Sequence, residues 1–484
     1  MNAPLRRVAV AVFVLFALLF VNLNYVQVVK GDDYRTSDLN ERVRISSYER
    51  PRGLIMVEDQ AIAESVETDG RYKYQRKYPQ GELYSHVTGY QSMIYGNSDL
   101  EAAENEDLSG ESDKLFVRRI TDMITGKKSK GANVILTLDK EVQAATADAL
   151  EGEKGSAIAL DPKTGEILSL VSNPAYDPNP FAAHTDQPQK DAWKKLNGDS
   201  VNKPLLNRAL RQTYPPGSTF KVVMASALTE EGYTADTQVD APNQYTAPQT
   251  TKYIENFHGE QCGNGVQVTL EFALQESCNT VFAKLGVEKL KAEKIKAKAK
   301  EFGFGDADLQ VPLDVVASQT GDMPDDPAVA QSSIGQRDVR MTPLQGAMIA
   351  AAVANNGKLM TPYLVKKVEA ADYTTLSTTR QRELSAPLND SNAAEVQKMM
   401  RAVVENGTGQ RAQIDGADVG GKTGTAEDGD ERQDHAWFIG YAIVDGQPVA
   451  AVAVVLENAG TSSSSSAAIA GTIMKSIIEQ RANR

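Results

Sequence analysis

The sequence predicts a multidomain α+β chain in three parts. A single membrane-spanning helix occupies residues 1–30, a polar, β-rich, stalk-like module residues 31–152, and a larger domain with an antiparallel sheet covered by helices residues 153–484. Three observations predict this. A long apolar run follows two arginines near the start. At Gly155 the texture changes from polar and irregular to strand, tight turn, strand. Towards the end, strand patterns follow one another directly between helical ones. The length of 484 residues exceeds one average domain. Hydrophobic, charged and aromatic fractions of 41%, 24% and 6% are those of an ordinary globular protein. The 51 Lys and Arg against 64 Asp and Glu give a net charge of -13, which repels phosphate backbones, so no nucleic-acid partner is expected. His86, His184, His258 and His435 show no helix-face spacing, and Cys262 and Cys278 lack the close double pairs of a zinc site. No metal or cofactor is therefore expected.

Taken in order, Val8 to Val21 contains no polar residue, and the apolar character runs on past Asn22, Asn24 and Gln27 to Val29, roughly 30 Å of helix. No small-x-small cleavage pattern follows. The expectation is a retained signal anchor in the cytoplasmic membrane, single-pass, with Arg6 and Arg7 inside and the chain after Lys30 outside. A buried core helix is the competing reading, but such helices seldom begin beside two arginines at a chain start. The next stretch, to about Glu151, is patchily β-like, with a turn-rich segment from Asn97 to Ser112 and a basic tract at Lys127, Lys128 and Lys130.

Ser156 to Leu160 and Glu166 to Val171 read as strands around the turn Asp161-Pro162-Lys163-Thr164-Gly165, with Asp161 and, further on, Asp177 as turn and cap residues. Phe220 to Leu228 and Thr342 to Ala354 have helical composition. The lysine-rich segment Val287 to Lys300 reads as a solvated helix face that ends at Gly303. Val419 to Gly424, Ala436 to Val444 and Val449 to Leu456 read as strands, the last two joined by Asp445-Gly446. The serine run Ser462 to Ser466 reads as a mobile loop supplying an N-cap to a helix from Ala467 to Glu479.

Three short motifs carry chemistry. Ser218-Thr219-Phe220-Lys221 places a serine at a helix start, where free backbone N–H groups stabilise an oxyanion, and an amine one turn later that can accept the hydroxyl proton. Alone the pair means little, because an N-cap serine followed by a surface lysine is common. Ser277-Cys278-Asn279 then offers a hydroxyl and an amide, and Lys422-Thr423-Gly424 with Thr425 follows Gly420-Gly421 in a strand. There Lys422 and Gly424 share one face, which leaves room beside the cation for a substrate backbone. In this order the three motifs match the set of penicillin-binding proteins and serine β-lactamases.

On these motifs the chain resembles the class B penicillin-binding proteins, the membrane-anchored D,D-transpeptidases of peptidoglycan, and most closely their actinobacterial PbpA-type group. Arg52-Gly53-Leu54-Ile55, Tyr78-Pro79, His86 to Tyr90, Gly96 to Glu101 and Leu108-Ser109-Gly110 resemble the family's amino-terminal pedestal signatures. Leu136 to Asp139 with Gln143 resembles the hinge into the catalytic domain, and Ile334-Gly335-Gln336 with Thr342 to Gln345 its core helix region. Gln60 departs from the pattern, standing where the first pedestal motif usually has glycine.

The resemblance implies that Ser218 attacks the carbonyl between the terminal D-alanines of a stem peptide and passes the acyl group to a neighbouring strand's amine, in cell-wall synthesis for growth or division. It assigns Lys221 as base, Ser277 as proton relay and Asn279 as orienting residue. Lys422, Thr423 and Thr425 become the binding site for the terminal carboxylate, Gly424 a further substrate-binding residue, and the N–H groups of Ser218 and Thr425 the oxyanion hole. A β-lactam would acylate Ser218. The implied partners are peptidoglycan stem peptides, the cytoplasmic membrane, a glycan polymerase and other cell-wall synthesis proteins. No glycosyltransferase domain is expected before Gly155.

Two rival functions share the motifs. A serine β-lactamase would need a water-activating base, and a non-catalytic scaffold would need no intact serine. A Ser-His triad through His435 is the rival chemistry. The two cysteines lie in a part of the chain expected outside the membrane, where disulfides persist. A bridge between Cys262 and Cys278 would hold Ser277 and Asn279; the alternative is a buried Cys278 and an exposed Cys262 thiol.

Overall fold

A run of apolar residues leaves only backbone polar groups to satisfy, and a helix satisfies them internally. Helix α1 (Ala3–Asn24) continues as a π-helical turn to Val29, and none of its side chains is buried. Its 27 residues, with mean hydropathy 2.3, are long and apolar enough to cross a membrane. The computed structural model describes residues 3–31, 48–116, 124, 130–307, 309, 311–426, 434–460 and 463–483. Lys127, Lys128 and Ser462, singled out in the sequence, lie outside them.

The first sheet takes strands β1 (Ile55–Val57), β2 (Gln60–Glu67), β3 (Tyr74–Lys77) and β4 (Asn133–Leu136). Helix α2 (Lys140–Ala149) follows, started by Asp139, whose carboxylate accepts from the amides of Glu141 and Val142. The larger unit begins with β5 (Gly155–Leu160) and β6 (Ile167–Asn173) and continues through α3 (Lys221–Glu230), α4 (Asn279–Leu285) and α5 (Pro343–Ala354). Next come β7 (Val365–Glu369), β8 (Thr375–Thr378) and α6 (Asp390–Glu405), and last β9 (Asp418–Ala426), β10 (His435–Val444), β11 (Gln447–Leu456) and α7 (Ser463–Ala482).

The first sheet has the order β8-β7-β4-β1-β2-β3, so two of its strands come from residues far beyond 153. Only β1 and β4 pair in parallel. Gln60 sits inside this sheet opposite Val57, across a two-residue turn in which Glu58 has φ +53°, so no glycine is needed at 60. Beside the sheet, the buried Glu101 accepts from Arg52 Nε and Arg76 Nε, each at 2.5 Å. Arg76 also donates to the Gly53 carbonyl at 2.7 Å, so the arginine of the first pedestal signature and its neighbour are tied to one carboxylate.

The second sheet, β9-β10-β11-β5-β6, is antiparallel throughout. Side chains alternate across it: Trp437, Ile439 and Tyr441 pack into the core that contains α5, while Phe438, Ala442 and Val454 pack against α7 and α2. Because both faces are covered, these strands are apolar at nearly every position, and α5 is buried on all sides.

Two expectations need correction. The lysine-rich segment is not one solvated helix: a π-helical turn (Gly286–Leu290) leads to a helix (Lys291–Glu301), and Lys291 has φ +59°. Within it Lys298 is buried, ion-paired with Glu230 and Glu301 and donating to the Pro387 carbonyl at 2.6 Å. The serine run is also not a loop ahead of the last helix, because Ser463 already begins α7 and Ser466 is buried.

Burial pushes the Glu101 carboxyl up, but the Arg76 and Arg52 guanidiniums overcome it and hold the group below its ordinary value. The stabilisation is thus present above the unfolded carboxylate range and is lost as pH falls through the folded value. Replacing Glu101→Gln leaves two guanidiniums facing no charge, and a loss of about 3–5 kcal/mol in urea unfolding is the expected outcome. A loss under about 1 kcal/mol would show that the pair of arginines is satisfied some other way.

Candidate active site

The turn that carries Ser218 is fixed from several directions. Trp437 Nε1 donates to the Pro215 carbonyl at 3.0 Å, the Gly217 amide donates to the Gly335 carbonyl at 2.9 Å, and Tyr214 and Met341 exchange both backbone hydrogen bonds. Ile334-Gly335-Gln336, expected in a core helix region, is thus partly the seat of this turn, with Gly335 at φ +71°. Gly217 has φ +52°, and a Cβ there would lie 2.3 Å from the Thr425 carbonyl oxygen. On the facing strand β9, a Cβ at Gly424 would lie 2.8 Å from the Pro216 carbonyl. The room beside Gly424 is therefore filled by the serine turn, not left for a substrate backbone as the strand pattern suggested.

Ser218 lies half-buried in a 3-10 turn (Gly217–Phe220) that runs straight into α3. Because α3 is buried from Lys221 to Thr229, the Lys221 side chain has no route to solvent and turns inward. Its Nζ donates to the Ser277 carbonyl at 2.6 Å and to Asn279 Oδ1 at 2.6 Å, and lies 3.3 Å from Ser277 Oγ. From the other side, the equally buried Lys422 of β9 reaches Ser277 Oγ at 3.0 Å and its neighbour's carbonyl, Thr423 O, at 3.0 Å. One hydroxyl thus lies between two buried amines. Residues of all three motifs meet here, separated by 56 and 145 positions along the chain.

Burial disfavours the charged form of both amines. Desolvation, with the Lys422 charge adding to it, holds Lys221 well below the ordinary lysine range. Desolvation brings Lys422 down to about 7, opposed by the Glu276 carboxylate. Glu276, beside Ser277, was not singled out from the sequence; nothing in an exposed acidic residue at a helix end announces such a role.

Ser277 itself has φ +61°, a left-handed conformation that costs an L-residue about 1–3 kcal/mol. The next residue is locked: Cys278 is bridged to Cys262, with Cα atoms 5.7 Å apart, and both cysteines are buried. Asn279 Nδ2 donates to the Glu255 carbonyl at 3.2 Å, which ties the start of α4 to the segment that the bridge holds. Thr423 is buried, and its Oγ1 lies 2.5 Å from Thr408 Oγ1. His435 opens β10; its ring packs edge-on to Tyr214, and its Nδ1 accepts from the Asn458 amide at 3.2 Å.

A helix-covered antiparallel sheet with this serine and lysine grouping against its edge strand defines the class of serine acyl-enzymes to which penicillin-binding proteins and serine β-lactamases belong. Residues 155–479 match the penicillin-binding protein transpeptidase domain, and residues 52–134 the penicillin-binding protein A dimerisation domain. The peptidoglycan D,D-transpeptidase PbpA of Mycolicibacterium smegmatis is 43% identical over 468 residues, 95% of this chain and 94% of that protein. The protein of the same name from Mycobacterium tuberculosis is 40% identical over 488 residues, 99% of each. The crystal structure of PBPA from Mycobacterium tuberculosis superposes with a TM-score of 0.85 at 38% identity, covering 89% of this chain and 100% of that one. A penicillin G acyl-enzyme complex of penicillin-binding protein A from the same organism gives 0.83 at 39% identity, covering 90% and 100%. The chain belongs to the penicillin-binding protein transpeptidase family and is a D,D-transpeptidase of cell-wall synthesis.

Since the Lys422 charge helps to depress Lys221, Lys422→Met removes one of its two causes. Lys221 should then titrate at higher pH, as followed by NMR of selectively labelled lysine; an unchanged or lower midpoint would mean that the two amines do not sense each other.

Proposed function

We propose that Ser218 forms the acyl-enzyme, with Lys221 as its base. The observation that carries this reading is the bonding of the Lys221 amine. A neutral amine has two N–H donors and one lone pair. Two short bonds, to the Ser277 carbonyl and to Asn279 Oδ1, use both donors; the lone pair is left to a hydroxyl, either Ser277 Oγ at 3.3 Å or Ser218, which stands three positions earlier on the same helical face. A depressed pKa makes that neutral form available.

In the reaction, Ser218 Oγ attacks the carbonyl between the two terminal D-alanines of a stem peptide while its proton passes to Lys221. The tetrahedral oxyanion is received by the N–H groups of Ser218 and Thr425. The C–N bond breaks as Ser277 relays a proton to the leaving nitrogen, and D-alanine departs. An amine from a neighbouring strand then attacks the Ser218 ester, gives up its proton and restores the free serine, leaving a new amide cross-link. Asn279 orients Lys221 and the donor. Lys422, Thr423 and Thr425 hold the terminal carboxylate, with Gly424 letting the serine turn approach them.

A β-lactam enters the same path and stays on Ser218. Residues 1–30 anchor the chain in the cytoplasmic membrane with Arg6 and Arg7 on the inner side. Residues 31–152 form a non-catalytic pedestal for the transpeptidase domain, residues 153–484, outside it. A glycan polymerase and other cell-wall synthesis proteins are the partners this placement suits.

Intact-protein mass spectrometry after incubation with penicillin, followed by peptide mapping, tests the assignment. Ser218→Ala should abolish the adduct, and Lys221→Ala should slow its formation by about 10²–10⁴-fold with the fold retained. An adduct that persists in Ser218→Ala, for instance on Ser277, would overturn it.

A further inference from the structure

No motif marks the loop after α6, Asn406-Gly407-Thr408-Gly409, yet four contacts fix it between the two sides of the site. A Cβ at Gly407 would lie 2.6 Å from the carbonyl oxygen of Gln275, two residues before Ser277. The Gly409 amide donates to the Val403 carbonyl at 2.9 Å, and a Cβ at Gly409 would lie 3.3 Å from the ring of Phe438, the register partner of Thr423. Between these two points Thr408 Oγ1 meets Thr423 Oγ1 at 2.5 Å.

We propose that Thr408 is a positioning residue for the donor's terminal carboxylate: it donates its hydroxyl proton to Thr423, so that the single proton of Thr423 is directed at that carboxylate. The inference rests on the reading of Thr423 as a carboxylate ligand. A hydroxyl carries one proton and two lone pairs. Were Thr423 to donate to Thr408, it would turn only lone pairs towards an anion. With Thr408 as donor, the chain Thr408, Thr423, carboxylate runs in one direction, and each bond polarises the next. The last bond of the chain is charge-assisted.

The remaining freedom at Thr423 is already small. Its carbonyl accepts from Lys422 Nζ at 3.0 Å, and its strand is paired on both sides of it with β10. The direction of the hydroxyl proton is what Thr408 adds. Thr408 is itself exposed, so its methyl and hydroxyl are not required to fill the core.

The test compares acylation of the full chain in detergent by penicillin G and by its methyl ester, which lacks the carboxylate charge. In Thr408→Val the acid-to-ester ratio of second-order rate constants should fall about tenfold, through a higher half-saturating concentration of the acid and not a slower limiting rate. Thr408→Ser keeps the hydroxyl and should return the ratio to within about twofold of the parent chain. An unchanged ratio in Thr408→Val, in a series where Thr423→Val collapses it, would overturn the proposal while leaving the reading of Thr423 intact. Equal losses for acid and ester would also overturn it, since they would mark a merely structural role. An unchanged ratio in Thr423→Val would remove the carboxylate reading itself, and the proposal with it.

Discussion

Two lysine amines buried on either side of one serine hydroxyl make the demand that the rest of this structure meets. A buried ammonium is costly, and a lysine cut off from water relieves the cost by losing its proton. Lys221 and Lys422 are both fully enclosed, the Lys422 charge disfavours that of Lys221, and both are held below the ordinary lysine range. The same burial that would weaken a structural lysine supplies a base that is neutral well below the ordinary lysine range.

Holding such a pair requires rigid surroundings on every side. One amine stands at the start of a helix that is buried along its length, the other on the edge strand of a sheet covered on both faces. The hydroxyl between them sits on a residue at φ +61°, and the adjoining bridge from Cys278 to Cys262 closes a span of 16 positions. In the chain-entropy view a loop of that size is worth about 3 kcal/mol, comparable with the strain beside it. The serine turn is pressed onto β9 so closely that Gly217 and Gly424 each leave no space for a side chain.

Much of this was legible in the sequence because its causes are local. Strands covered on two faces read as unbroken apolar runs, and Asp445-Gly446 marks the hairpin that joins β10 to β11. Features set by distant partners were not legible. Nothing near Lys298 announces Glu230, 68 positions away, so a buried lysine was read as part of a solvated face. Strands β7 and β8 join a sheet whose other strands precede Asn133 or begin there, a pairing that no local period reveals. The spacing of the three motifs brought the right residues to attention, but it assigned the space beside Gly424 to substrate when the Pro216 carbonyl occupies it. Thr408 carried no signal beyond its two flanking glycines.

Acylation of Ser218 depends on Lys221 working as a neutral base in this buried setting. The most direct measurement is the pH dependence of the rate at which penicillin acylates Ser218 in the intact chain, taken from mildly acidic to strongly alkaline pH. A rate that falls with acid along a limb lying well below the ordinary lysine range is the predicted result. A limb at the ordinary lysine value of about 10.4 would contradict it, because the amine would then be protonated wherever the enzyme is used.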